Sequence, residues 1–166
     1  PKPEGMSAAQ AASLPTTFLT AFHGLLHLAG MQAGDRVLIH AAAGGVGQAA
    51  VQLAQWVGAE VFATAGTPEK RAFLGSLGVE HVMDSRSLEF ALQIEQITDG
   101  RGVDIVLNSL AGEFIDQSLR LLAPGGRFIE IGKARLLSPE EAARINPQAT
   151  YTAFDLAQVL VHEPRH

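Results

Sequence analysis

Val37-Leu38-Ile39-His40, then Ala41-Ala42-Ala43-Gly44-Gly45-Val46-Gly47, then Gln48 to Ala59, then Glu60-Val61-Phe62-Ala63-Thr64: this stretch decides the fold. Residues 37–40 are an apolar run too short for a helix and suited to a buried strand. Beyond the glycines, Val46, Ala50, Leu53 and Val57 recur at helical spacing, with Gln48, Gln52 and Gln55 on the opposite face. Gly58 stops that helix, and Val61 to Thr64 form the next strand. Strand, glycine turn, helix and strand make a βαβ unit of roughly thirty residues, the size of a dinucleotide-binding fingerprint.

The turn needs its glycines, because a Cβ would obstruct the tight backbone angles between strand and helix. Bare backbone also lets N–H groups approach a pyrophosphate at the positive end of the helix dipole. Ala42 to Gly47 keep the G-x-G-x-x-G spacing with alanine in the first place, so Ala43, Gly44, Gly45, Val46 and Gly47 are expected to contact a cofactor. The competing reading is a glycine turn that serves only as a connection. Its position between strand and helix favours nucleotide binding.

The 166 residues suffice for one domain with a core, expected to be a single nucleotide-binding Rossmann domain over 1–166 led by helices in 1–30. A net charge of −5 without a basic patch argues against nucleic acid. Cysteine is absent, which excludes disulfides and thiolate metal sites. No apolar run approaches bilayer length and no signal sequence opens the chain, so no membrane role is expected and the cytoplasm is the default location.

In chain order, residues 1–6 read as a linker or the cut end of something larger. Ser7 is expected to cap a helix to about Ser13, and Pro15 to open a second helix to about Ala29. His23 and His27 on that helix have the spacing of metal ligands but no accompanying glutamate; the plainer reading is packing or surface histidines, and no metal site is expected. Strand one covers about 36–40. Pro68 opens a helix that ends before Gly78, and Val82-Met83 form a third strand. Phe90, Ile94 and Ile97 mark the next helix, and Val103 to Leu107 the fourth strand. Ile115, Leu119 and Leu122 give the following helix its buried stripe. Pro124-Gly125-Gly126 read as a turn into strand five, Arg127 to Ile131. Pro139 opens a helix to about Ile145, Ala149 to Phe154 form strand six, and Asp155 to Leu160 begin a last helix. Such alternation implies an α/β Rossmann fold: a doubly wound parallel sheet in the order 3-2-1-4-5-6, with ligands at the carboxyl ends of its strands.

An NAD site commonly has an acid at the end of strand two; here that place reads Thr64-Ala65-Gly66-Thr67, followed by Lys70 and Arg71. Small hydroxyl residues and cations suit a 2′-phosphate and favour NADPH, although Lys70 and Arg71 also fit simple solvated helix charges. Ser85 and Arg86, after strand three, fall near the adenosine side. Asn108, Ser109 and Leu110 follow strand four, and Ile131, Gly132 and Lys133 follow strand five, so both groups border the cofactor.

Taken together, VLIHAAAGGVGQAAVQLAQ, EKR, GRGVDIVLNSLAGEF, LAPGGRFIEIGK and YTAFDL resemble the nucleotide-binding half of a polyketide synthase enoyl reductase domain. That group belongs to the medium-chain dehydrogenase/reductase superfamily and is similar to its zinc-free quinone oxidoreductases. The resemblance covers about Ala9 to Leu160. It implies NADPH-dependent reduction of an α,β-unsaturated acyl thioester on an acyl carrier protein, within a synthase of several domains. It also implies hydride addition at the β-carbon and protonation at the α-carbon. The family's proposed catalytic lysine and aspartate match Lys133 and Asp155, while its tyrosine lies in a separate substrate half. Many relatives read Gly-Lys-x-Asp, whereas Lys133 here precedes Ala134-Arg135.

Position supports a catalytic part independently, since Lys133 and Asp155 follow strands five and six and face the crevice. The plainer alternatives are that Lys133 binds the cofactor ribose and that Asp155 caps the last helix. Three rival functions remain: a quinone or small-enone reductase, a non-catalytic NADPH-binding module, and a methyltransferase. The last shares the LAPGGR-type turn but usually lacks AGGVG before a long amphipathic helix. Two further expectations follow: the chain alone turns over little substrate, and the uncharged edge strand 149–154 pairs two copies into a homodimer.

Overall fold

The computed structural model describes residues 8–162. Six strands form one sheet in the order β3-β2-β1-β4-β5-β6, as the sequence implies. They are β1 (Arg36–Ile39), β2 (Glu60–Ala65), β3 (His81–Asp84), β4 (Val103–Asn108), β5 (Leu122–Glu130) and β6 (Thr150–Ala153). Every neighbouring pair is parallel, with Val37 beside Val61 and Ile105, and Ile129 beside Thr152. No helix among the described residues is long and apolar enough to cross a membrane.

Parallel strands are buried on both faces, so alternate residues feed two cores. Val37, Ile39, Ala63, Ile105, Leu107 and Ile129 face one layer. Leu38, Phe62, Val106 and Phe128 face the other, under Phe90, Ile94, Ile115 and Leu119. The first layer contains α1 (Ala8–Phe22), its extension His23–Leu28, α2 (Gly45–Val57) and α3 (Pro68–Ser76). The second contains α4 (Glu89–Ile97), α5 (Glu113–Arg120) and α6 (Pro139–Ile145), and α7 (Leu156–His162) closes the description.

The structure corrects five local expectations. The leading helices are one: α1 runs through Pro15 and continues as a π-helix over His23–Leu28. Proline forfeits a backbone N–H, but helical packing holds the chain on course and the Thr17 hydroxyl donates to Leu14 O just beyond it. The expected Ser7 cap lies outside the described residues. On α2 the fully buried positions are Gly47, Ala49, Ala50, Val51 and Ala54, while Val46, Leu53 and Val57 are only partly covered. Small residues let α1 approach closely: a Cβ on Gly45 would lie 3.0 Å from Thr17 Cγ2.

Ile97 is exposed rather than part of the α4 stripe, because the helix closes there, with Asp99 at a positive φ of 52°. Leu122 begins β5 instead of finishing α5, and Pro124-Gly125-Gly126 form a bulge within that strand. Val103 pairs with Leu122 but Ile105 with Arg127, so the extra residues are looped out of the ladder. Gly125 takes a φ of +78°, and its N–H donates to Gln148 O.

Candidate functional site

The carboxyl end of β1 turns through Ala41, at a φ of +48°, into α2. Gly44 caps that helix in an extended conformation with no side chain over its first N–H groups. A Cβ on Gly47 would lie 2.5 Å from Ala42 Cα and 2.6 Å from Ala41 O. Only glycine lets helix and strand meet there, and Gly44 and Gly45 leave an exposed, side-chain-free lip at a 13-residue helix's N-terminus. These features fit a pyrophosphate cradle.

At the ends of β2 and β3, the predicted adenosine-side residues come together unevenly. Thr64 does not face the crevice: it is fully buried, with its hydroxyl 2.9 Å from His40 Nδ1. Thr67 caps α3 by accepting from Lys70 N–H. A Cβ on Gly66 would lie 3.2 Å from Arg86 Nε and 3.4 Å from Ser85 Oγ, so these two border the gap beside Gly66. Arg71 donates to Ala65 O and pairs with Asp84 at 3.2 Å, while Lys70 is exposed. Lys70, Arg71 and Arg86 therefore bring three cations to one end of the sheet, with Asp84 engaging Arg71.

The other side of the same carboxyl edge gathers the exits of β4, β5 and β6. Lys133 Nζ donates to Asp155 Oδ2 at 2.6 Å; the lysine is 77% exposed and the aspartate 30%. The Lys133 hydrogen bond, reinforced by Ala157 N–H, holds the Asp155 carboxyl below its usual range. Through Oδ1, Asp155 also accepts from Ala157 N–H at 3.0 Å and so caps α7. The catalytic and capping readings of Asp155 thus coexist in one side chain.

Beside this pair opens a cleft of about 600 Å³, walled by Val46, Ile131, Lys133, Phe154 and Asp155 with Leu19 of α1. Its wall joins the glycine turn to the Lys133 segment. Ser109 is exposed at the β4 exit and Leu110 half-buried, whereas Asn108 is buried with its amide committed internally. Asn108 Nδ2 donates to Leu110 O and to Glu130 Oε2, and Asn108 Oδ1 accepts from Leu110 N–H.

Sequence reasoning missed Glu130 and His40. Both lie in strand-like hydrophobic runs whose neighbours draw attention away from them, although a carboxylate directly before Ile131-Gly132-Lys133 was a readable anomaly. His40 is 3% exposed and makes bonds to Thr64 and Ser118 hydroxyls at 2.9 and 2.8 Å. Burial pushes its pKa down to about 3, so the ring is neutral. One hydroxyl then accepts from its N–H and the other donates to its bare nitrogen. His23 and His27 stack with centroids 4.9 Å apart, and His23 also meets Phe154, behind the cleft wall.

The family described as zinc-binding dehydrogenase matches residues 45–164. The chain is 54% identical over 158 residues to the spectinabilin polyketide synthase system protein NorB of Streptomyces orinoci, covering 94% of this chain and 7% of that one. The crystal structure of CurK enoyl reductase superposes with a TM-score of 0.94 at 57% identity, over 98% of this chain and 49% of that one. The nucleotide-binding subdomain of the enoylreductase domain of PpsC from Mycobacterium tuberculosis gives a TM-score of 0.83 at 47% identity. That match covers 91% of this chain and 86% of that one. The chain thus spans about half of the CurK reductase and a small part of the NorB synthase. Zinc in the family description does not fit these residues: cysteine is absent, and the described residues contain no cluster of three or more His, Asp or Glu able to hold a metal.

Proposed function

Since this chain belongs to the zinc-binding dehydrogenase family, among the enoyl reductases of polyketide synthases, we propose that it is the NADPH-holding half of an enoyl reductase. The reaction is reduction of an α,β-unsaturated acyl thioester carried by an acyl carrier protein. The observation that carries this reading is Lys133, paired to Asp155 at 2.6 Å on the wall of a cleft that continues to the glycine turn. A domain that only stored the nucleotide would not need an exposed cation there.

When bound, NADPH supplies the hydride. The protein's residues do the rest. Gly44 N–H donates to Ala41 O within the turn, so the backbone N–H groups of Gly45 to Gly47 would receive the pyrophosphate. Lys70 and Arg86 would meet the 2′-phosphate beside Gly66, with Arg71 held by Asp84 and Ala65 O. The side chains of Thr64 and Asn108 act from behind the site rather than on the cofactor. Lys133 opposes negative charge developing on the thioester, or holds the proton destined for the α-carbon. Exposed ion pairs contribute little stability, so Lys133 can leave Asp155 for the acyl group.

A separate substrate domain completes the cleft, excludes water and positions the thioester. This chain alone is therefore expected to bind NADPH and turn over enoyl thioesters negligibly. The unpaired edge of β6, Thr150 to Ala153, carries no charge or proline and suits pairing with a second copy. Sedimentation should show a dimer that a folded Thr152→Pro variant loses; a monomeric parent rejects this assembly.

Kinetics of Lys133→Ala in an intact reductase test the function. Turnover should fall by about 100-fold with NADPH affinity nearly unchanged. Unchanged turnover would remove Lys133 from the chemistry. A matching collapse of NADPH affinity would make it a cofactor ligand.

A further inference from the structure

Glu130 ends β5 with its side chain 1% exposed, the one carboxylic acid among the described buried side chains. Burying a carboxylate is costly unless its oxygens are paired. Here Oε2 accepts from Asn108 Nδ2 and Oε1 from Gly132 N–H, both at 2.6 Å. Both partners are donors, the set an ionised carboxylate satisfies and a protonated one does not. Burial nevertheless pushes its pKa up to about 7, opposed by the bonds from Asn108 and Gly132.

These partners are not ordinary core groups. Asn108 clamps Leu110 through both ends of its amide, fixing the β4 exit that carries Ser109. Gly132 is the residue before Lys133, and a Cβ there would lie 2.8 Å from Glu130 Oε1. Glycine at 132 is what lets the carboxylate sit beneath that turn. Backbone bonds complete the junction: Asn108 O accepts from Ile131 N–H at 2.9 Å, and Glu130 O from Phe154 N–H at 3.1 Å. The exits of β4, β5 and β6 therefore converge on one residue. A leucine could fill its volume but would hold neither segment.

The geometry points to Glu130 as a positioning residue for the reductase step: its carboxylate locks the β4 and β5 exits together and so sets where Lys133 stands over the crevice. This assignment rests on the enoyl reductase reading above. Glu130 is buried behind the cleft wall and acts through Asn108 and Gly132.

The test uses Glu130→Gln and the polarity-reversed pair Glu130→Gln with Asn108→Asp. In the single variant one of the two bonds meets donor against donor. In the pair, the introduced amide can donate to the introduced carboxylate while still accepting from Gly132. Amide hydrogen exchange and NADPH titration are read on this chain, and kcat and KM on the intact reductase. In Glu130→Gln, exchange at Gly132 should rise about tenfold or more while Leu38 and Val106 keep their protection. NADPH affinity should fall about threefold, and kcat about tenfold with KM for the thioester little changed. The paired variant should restore most of the Gly132 protection, and kcat only in part, because Asn108→Asp removes the donor to Leu110 O. A folded Glu130→Gln with parental Gly132 exchange overturns the assignment, and so does raised exchange with parental kcat, which would leave Glu130 purely structural. Failure of the parent chain to bind NADPH would instead overturn the reductase reading, with Gly132 exchange still deciding whether Glu130 holds the exits.

Discussion

Two polar clusters are buried at the carboxyl ends of this sheet, and they differ in what they hold. His40 lies beneath the glycine turn between Thr64 on β2 and Ser118 on α5, with Phe90 edge-on to its ring. All its polar partners are side chains within the core. Glu130 lies as deep, but its partners are Gly132 N–H and the Asn108 amide that clamps Leu110. The histidine cluster closes on itself, while the glutamate cluster continues into the loops that wall the cleft. Equal burial therefore does not mean equal role: the first should govern stability, the second geometry.

The largest effect expected is on stability. His40→Leu strands two buried hydroxyls and should cost about 2–4 kcal/mol in urea unfolding, with NADPH affinity of the folded protein preserved. Lost affinity without lost stability would break the comparison.

The two clusters should also tilt the pH dependence in opposite directions. The folded pKa of His40, about 3, lies below its ordinary 6.5. Its contribution is thus full above pH 6.5 and is lost as pH falls toward 3. For Glu130 the folded value of about 7 lies above the ordinary 4.5. The folded state then binds the proton more tightly, so its contribution is full below pH 4.5 and declines as pH rises to 7. Tyr151 on β6, whose pKa is raised mainly by burial and in part by the Glu130 charge, titrates above this window. Unfolding of parent and Glu130→Gln between pH 4 and 8 should show the parent losing ground as pH rises, by at most about 1.4 kcal/mol per unit, then flattening above pH 7. A constant difference across that range would mean that Glu130 does not titrate there.

How much of this was legible depended on where the determining contacts lie in the chain. The sheet order could be read because each strand, turn and helix carries its own local signal, from Val37-Leu38-Ile39 to Pro139. The bulge at Pro124-Gly125-Gly126 could not, since it exists only relative to Val103 and Ile105 across the ladder. Lys133 and Asp155 were placed on one crevice by strand topology, and their ion pair follows. The roles of Thr64 and Asn108 were hidden because both partners are distant: His40 lies 24 residues from Thr64, and Glu130 22 residues from Asn108. No periodicity reports which polar side chains meet inside a core.

A smaller effect separates the cations of the adenosine end. Arg71 is already engaged by Asp84 and Ala65 O, whereas Lys70 is exposed. If the proposed site holds, Lys70→Ala should reduce the preference for NADPH over NADH by about tenfold without altering stability, because Lys70 is an exposed charge. An unchanged preference would assign the 2′-phosphate to Arg86.

The central claim, that this crevice is the NADPH site of an enoyl reductase, is tested most directly by titrating the unmutated chain with NADPH and NADH and following nucleotide fluorescence. NADPH should bind at least about tenfold more tightly, the scale of one cation on a phosphate. Equal affinity for the two nucleotides, or binding of neither, would contradict it.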